Sequence, residues 1–306
     1  MIGKWRRLFA AVRRLVNAER RFDEIQFNQG LILSRLAGVE RVSSLCDAEF
    51  KVFSQWGEDG IIQYLTRHIE IKHHTFIEFG VEDFFEANCR FLLVKDLWRG
   101  FVIDGSQKNI SRLKASYFYW KYPLRGNASF ITRENVEGLL EESGFDKDLG
   151  ILSVDIDGVD YYVLERLEQW KARILIVEYN GVFGSKSPVS VPYAADFTRN
   201  AKHHSNLYYG ASLPAFYALA SSRGYALVGV NSAGSNAFFV RRELLSEAVR
   251  EVSVEECFRD SCFRESRDRA GHLTFASGRK RLELIGDLPL VNVVTGSDLK
   301  VRDLHA

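Results

Sequence analysis

Four acidic residues stand where carboxylates are expensive. Glu78, Asp104, Asp155 and Glu178 each sit at or near the end of a short apolar run: TFIEFG, GFVIDG, GILSVDID and RILIVEYN. Strand interiors almost never carry an unpaired carboxylate, because desolvating it is costly. Acids at corresponding positions in successive runs therefore predict a polar site over one edge of a sheet. Glu78 precedes Gly80, where a residue without a Cβ lets the backbone turn sharply beneath a ligand. Asp104 could accept both hydroxyls of a ribose, as acids do at this place in nucleotide-binding folds. Asp155 and Asp157 lie on the same side of an extended chain, and Glu178 with Asn180 on the next run could approach them. Hard oxygen donors grouped this way suit Mg²⁺, Mn²⁺ or Ca²⁺ rather than zinc. Helix capping by Asp157 or Asp160, with Asp155 bonded to loop amides, would account for the same residues. His203 and His204 lead an otherwise uncharged stretch and are candidates for a general base, or simply surface loop histidines. His73 and His74 precede the first run, at the wrong end of the sheet.

The elements that must position these residues follow a clear rhythm. Strands are predicted at Thr75–Gly80, Gly100–Gly105, Ala128–Thr132, Gly150–Asp157 and Arg173–Asn180. Helices are predicted between them at Glu86–Trp98, Gln107–Tyr117, Arg133–Glu142 and Val159–Trp170. A crossover helix after each strand signals a parallel sheet covered on both faces, and continuous apolar runs such as ILIV fit burial on both sides. After a helix at Ala211–Arg223, the strands Tyr225–Val230 and Asn236–Arg241 are joined by so short a connection that they must pair antiparallel. This is not the pattern of a dinucleotide-binding fold. It predicts an α/β class I methyltransferase (Rossmann-like) sheet of seven strands, mostly parallel, with an antiparallel C-terminal hairpin.

The 306 residues, 46% hydrophobic and 26% charged, can bury a sizeable core and exclude a disordered chain. No apolar stretch is long enough to span a membrane. Cys46, Cys89, Cys257 and Cys262 form no CxxC pair, which predicts reduced thiols in a cytoplasmic protein. The net charge of +1 hides an asymmetry, because Met1 to Arg21 carry seven basic residues against the single acid Glu19. A basic leader on a slightly acidic body is unlike a nucleic-acid binder. Trp5, Leu8, Phe9, Val12, Leu15 and Val16 form one apolar stripe, continued by Phe22, Ile25, Ile32, Leu36 and Val39. Such a helix can self-associate, pack on the body, or lie on an anionic membrane at the inner face. Glu19, Gln26 and Gln29 interrupt a strict heptad. The expected organisation is a helical leader (1–48), a methyltransferase domain (49–241) and a C-terminal accessory segment or lid (242–306).

Several stretches together resemble the FkbM type of S-adenosylmethionine-dependent methyltransferase. They are FSQWGEDGII (Phe53–Ile62), FIEFGVED (Phe76–Asp83), GFVIDGS (Gly100–Ser106), LSVDIDGVDYYVLERL (Leu152–Leu167), ILIVEYN (Ile174–Asn180), YYGASLPAFYAL (Tyr208–Leu219) and NAFFVR (Asn236–Arg241). The resemblance implies methyl transfer from S-adenosylmethionine, usually to oxygen, and an acceptor that carries a sugar hydroxyl, such as a glycan or glycosylated metabolite. It places Glu78 and Gly80 at the methionine end of the cofactor, Asp104 at its ribose and Ser106 beside its adenosine. Gln55 and Glu58 would close the pocket from the preceding helix. Asp155 and Glu178 match the acidic strand ends that hold a metal in macrocin-type sugar O-methyltransferases, with Asp155 then catalytic. Trp56, Tyr208 and Tyr209 could stack on a sugar ring, though aromatics so spaced more often serve a core. One departure stands out: Gly80 is followed by Val81, Glu82, Asp83 and Phe84 rather than by alternating glycines. That departure motivates the alternative of a binding module in a glycan-synthesis assembly that no longer catalyses.

Overall fold

The apolar runs and their crossover helices assemble one large sheet in the computed structural model, which describes residues 2–37 and 42–305. The strands in chain order are β1 (Thr75–Phe79), β2 (Arg99–Asp104), β3 (Leu124–Ala128), β4 (Ile151–Val154), β5 (Ile174–Glu178), β6 (Val189–Ser190), β7 (Tyr225–Val230) and β8 (Asn236–Arg241). Seven of them form a sheet in the order β3-β2-β1-β4-β5-β8-β7. The first five are mutually parallel, while β8 runs antiparallel between β5 and β7. This is the class I methyltransferase arrangement. The chain leaves β1 in one direction and returns to β4 on its other side, so the β1/β4 junction is the switch point where α/β sheets bind ligands.

The strand parity separates two cores. Ile77, Ile103, Leu152 and Val177 pack on one face. Phe76, Val102, Ile151 and Ile176 pack on the other. The covering helices include α1 (Ile2–Leu36), α2 (Glu58–His68), α3 (Arg90–Asp96), α4 (Gln107–Ala115), α5 (Val136–Glu141), α6 (Asp160–Arg166), α7 (Arg199–Lys202) and α8 (Leu213–Ser222). Ser212 caps α8 by accepting from the Ala215 amide, with Pro214 in the first turn, where its missing N–H costs nothing.

The third strand lies four residues earlier than its sequence suggests. The apolar Phe130 and Ile131 draw the expectation to 128–132, but the ladder with β2 runs from Leu124 to Ala128. As an edge strand with one neighbour and a partly exposed face, β3 can be built from the polar segment LRGNA. β4 also stops early, at Val154, and leaves Asp155–Asp157 in a loop. The C-terminal segment contributes β9 (Pro289–Asn292) and β10 (Asp298–Lys300), which form a second sheet with β6 in the order β10-β9-β6.

Helix α1 lies against α2 and α3. Asp23 pairs with Arg90 and accepts from the Tyr117 hydroxyl, Phe27 meets Phe91 edge to face, and Ser34 bonds Gln63. The side chains of the stripe from Trp5 to Val16, and Val39 with them, lie outside the described residues. Among the described residues, no helix is long and apolar enough to cross a membrane.

Candidate functional site

The β1/β4 junction is drawn tight by Gly80. Its φ is +69°, and a Cβ there would lie 1.6 Å from the Asp155 carbonyl oxygen. Only glycine satisfies both the left-handed backbone and the close approach. Above this contact lies a cleft of about 280 Å³, lined by Gly80, Glu82, Asp104, Asn109, Phe130, Asp155 and Asp157 among others. Four of its lining residues are acidic and none is basic.

Asp104 ends β2 at the cleft wall. Its carboxylate accepts from the Glu82 amide at 2.8 Å, the Ser106 amide at 2.8 Å and the Asn109 side chain at 3.2 Å. A carboxylate offers about four acceptor directions, so these three bonds leave one open on a residue that lines the cleft. Ser106 caps α4 by accepting from the Asn109 amide, and it is not among the residues lining the cleft.

Beside the cleft, Asp155, Asp157 and Glu178 converge, each offering an oxygen within 4.8 Å of the others. Asp157 has a φ of +55°, which aspartate tolerates better than most residues. Asp160 fixes the loop by accepting from the Ile156 and Gly158 amides; the N-cap of α6 is Val159, with no side-chain cap bond, so neither Asp157 nor Asp160 caps the helix. Burial, and then repulsion from their acidic neighbours, pushes the Asp155 and Glu178 carboxyls well above the usual carboxylate range. Two further residues complete the cluster, Arg199, which the sequence did not single out, and Tyr209, which it offered only as a stacking aromatic. Arg199 donates to Asp157 at 2.6 Å and to the Asn206 carbonyl, and its guanidinium lies 4.1 Å over the Tyr209 ring. The Tyr209 hydroxyl reaches Glu178 at 3.4 Å. Tyr209 stood in the sequence as an aromatic; Arg199 had no signal beyond its place in a loop.

The other candidates are placed elsewhere. Asn180 turns away from the cluster: its amide donates to the Leu207 and Tyr209 carbonyls, and its oxygen accepts from Val182. Glu78 is buried and accepts from the Asn88 and Cys89 amides, which pins the loop entering α3. Glu58 is fully buried, accepting from the Trp56 and Gly57 amides on one oxygen and from Asn231 and Asn236 on the other. Gln55 is exposed. His204 lines a second, outer cleft of about 590 Å³ that shares Phe130, Ile156, Asp157 and Phe197 with the first. His203 is held by Ser205 at 2.7 Å, stacks beside His204, and has its pKa lowered by burial. Tyr208 is buried, with its hydroxyl on the Pro289 carbonyl.

No protein-family profile matches the chain, and no curated protein matches its sequence. Among solved structures, it is similar to the CurJ carbon methyltransferase, at 10% identity and a TM-score of 0.39, over 60% of this chain and 52% of that one. It is similar to the magnesium protoporphyrin IX methyltransferase ChlM of Synechocystis PCC 6803, solved with bound SAH, at 10% identity and a TM-score of 0.39, over 60% and 81% of the two chains. An O-methyltransferase of Bacillus cereus, in complex with SAH, is matched at 10% identity and a TM-score of 0.37, over 70% and 88%. The chain thus spans about half the length of the CurJ structure. Resemblance at these values adds nothing to what the strand order defines, which is a class I methyltransferase fold.

Proposed function

We propose that this chain transfers a methyl group from S-adenosylmethionine to an oxygen acceptor, a sugar hydroxyl of a glycan or glycosylated metabolite, with help from a divalent cation. The observation that carries the reading is the charge of the cleft at the switch point, where Glu82, Asp104, Asp155 and Asp157 line the wall and no basic residue does. Such a wall opposes the pyrophosphate of a dinucleotide and favours a cationic ligand. The residues fit S-adenosylmethionine: Gly80 leaves backbone-close space, the open acceptor of Asp104 together with Asn109 would hold a ribose, and Phe130 would offer an apolar face to a purine. When bound, that cofactor supplies a methyl group on a sulfonium, open to in-line attack.

The chain's own contribution is alignment and control of a proton. An alcohol is a weak nucleophile until its pKa falls or a base takes its proton. Asp155, Asp157 and Glu178 would hold Mg²⁺ or Mn²⁺, whose charge favours the alkoxide. Arg199 positions Asp157, and Tyr209 positions Glu178. His204 lines the outer cleft together with Asp157, which makes it the better placed of the two histidines to accept the proton, and that outer cleft would take the acceptor.

Calorimetry with S-adenosylmethionine, followed by assay of S-adenosylhomocysteine release with oligosaccharide acceptors, tests the reading. Failure to bind the cofactor would end it. Tight binding without turnover on any acceptor would favour the alternative of a non-catalytic module. Full turnover in the presence of a chelator would remove the cation alone.

A further inference from the structure

Helix α1 is amphipathic the wrong way round for a helix that only covers its own domain. The residues it turns to the body are Asp23, Phe27, Gly30 and Ser34, and a Cβ on Gly30 would meet Val52 and Phe91 within 2.8 Å. Its apolar residues point the other way: Phe22 is 66% exposed, Ile25 53%, Ile32 60% and Leu36 69%. Together they expose on the order of several hundred Å² of apolar side chain, a patch of the size that marks interaction sites rather than ordinary surface.

The spacing of the patch identifies what fits it. Ala18, Phe22, Ile25, Gln29, Ile32 and Leu36 recur at alternating steps of four and three, the a and d positions of a heptad. In this register Gln26 falls beside the seam rather than in it, so Gln29 is its one polar member between residues 18 and 36. The flanks carry Arg21, Gln26, Asn28 and Arg35, all exposed, with Leu33 as an apolar shoulder. On a lipid surface Gln29 would sit near the middle of this apolar face, where acyl chains are deepest. In a coiled coil, by contrast, a single polar residue at an a position fixes register at some cost in stability. From Ala18 to Leu36 the seam runs roughly 27 Å at about 1.5 Å per residue. We infer that the outer face of α1 is a dimer seam whose occupant is α1 of a second copy of this chain.

Sedimentation equilibrium on the full chain, compared with Phe22→Asp/Ile32→Asp, tests this. The wild type is expected at twice the 35.0 kDa of one chain at micromolar concentration, and the double variant at one chain mass with an unchanged circular dichroism spectrum. Gln29→Leu is expected to lower the dimer dissociation constant at least about ten-fold, because it removes the polar residue from the seam. A monomeric wild type at tens of micromolar overturns the inference, as does a double variant that still dimerises. Binding of a monomeric wild type, but not of the double variant, to phosphatidylserine-containing vesicles would replace the second copy with a membrane.

Discussion

Two groups of carboxylates stand on the same edge of the sheet and meet opposite fates. Around α2 and the entry to α3, each buried acid is held by several donors, although one Asp59 oxygen has no hydrogen-bond partner. Asp59 accepts from the Val52, Phe53 and Ser54 amides and the Ser54 hydroxyl at 2.7–2.8 Å on a single oxygen, while Glu58 and Glu78 take two amides each. Around β4 and β5, Asp155, Asp157 and Glu178 face one another, with Arg199 and Tyr209 as their polar neighbours from the 199–209 segment. Acids of the first group hold loops in place. Those of the second repel one another and would be relieved by a cation or a shared proton. Residue type and strand position do not distinguish the two; the supply of backbone N–H groups does.

Removing one acid from each group should therefore give opposite results. Asp155→Ala is expected to cut turnover by about a thousand-fold, the middle of the range for a group that moves or stabilises a proton. Cofactor affinity should fall far less than turnover, since Glu82, Asp104 and Asp157 stay on the cleft wall, and thermal stability should stay level or rise, since like charges are being separated. Loss of folding in Asp155→Ala would erase the distinction. Asp59→Ala should destabilise the protein by about 3 kcal/mol in urea unfolding, because three amides and a hydroxyl lose their acceptor in the interior. A change under about 1 kcal/mol would mean that water replaces the carboxylate. Mn²⁺ sharpens the contrast further. At a hundred times its dissociation constant it should stabilise the wild type by about 2.7 kcal/mol, read as a higher melting temperature. Glu178→Ala should lose that increment and Glu78→Ala should keep it.

The sequence made the sheet legible because burial on both faces leaves an unmistakable apolar run. Tyr225–Val230 and Asn236–Arg241 match their strands residue for residue. β3 was misplaced because an edge strand needs only one neighbour and can be polar. At the site, the convergence of Asp155, Asp157 and Glu178 was readable from their places near neighbouring strand ends, although Asp157 joins from a loop at φ +55° and not through strand parity. Their separation from Glu58 and Glu78 was not, since it depends on amides contributed by 56–57 and 88–89, loops that the apolar pattern does not describe. Gly57–Gly60 in FSQWGEDG illustrates the point. The stretch reads as a ligand-binding motif, yet Gly60 is there because a Cβ would lie 2.1 Å from the Ala48 carbonyl, and its two acids bind backbone. Arg199 was invisible for a related reason: it reaches Asp157 across 42 residues of chain.

The smallest expected effect separates the groups by pH. Burial outweighs the two amide bonds at Glu78 and raises its carboxyl from the usual 4.5 to about 7. Between those values the folded protein keeps a proton that the unfolded chain has released. Unfolding then frees a proton, so raising the pH favours the unfolded state: stability should be full below about 4.5 and decline toward 7, with a slope of at most about 1.4 kcal/mol per pH unit. Asp59, raised to about 6 by burial, adds a parallel decline over its own lower range, from 3.8 upward. In Glu78→Gln the slope between 6 and 7 should become shallower by the share of Glu78, leaving the decline that the raised Asp155 and Glu178 carboxyls contribute, as read by urea midpoints measured across pH 4 to 8. If the variant keeps the wild-type slope above pH 6, Glu78 is ionised in the folded protein throughout, and the amides of Asn88 and Cys89 compensate its burial fully.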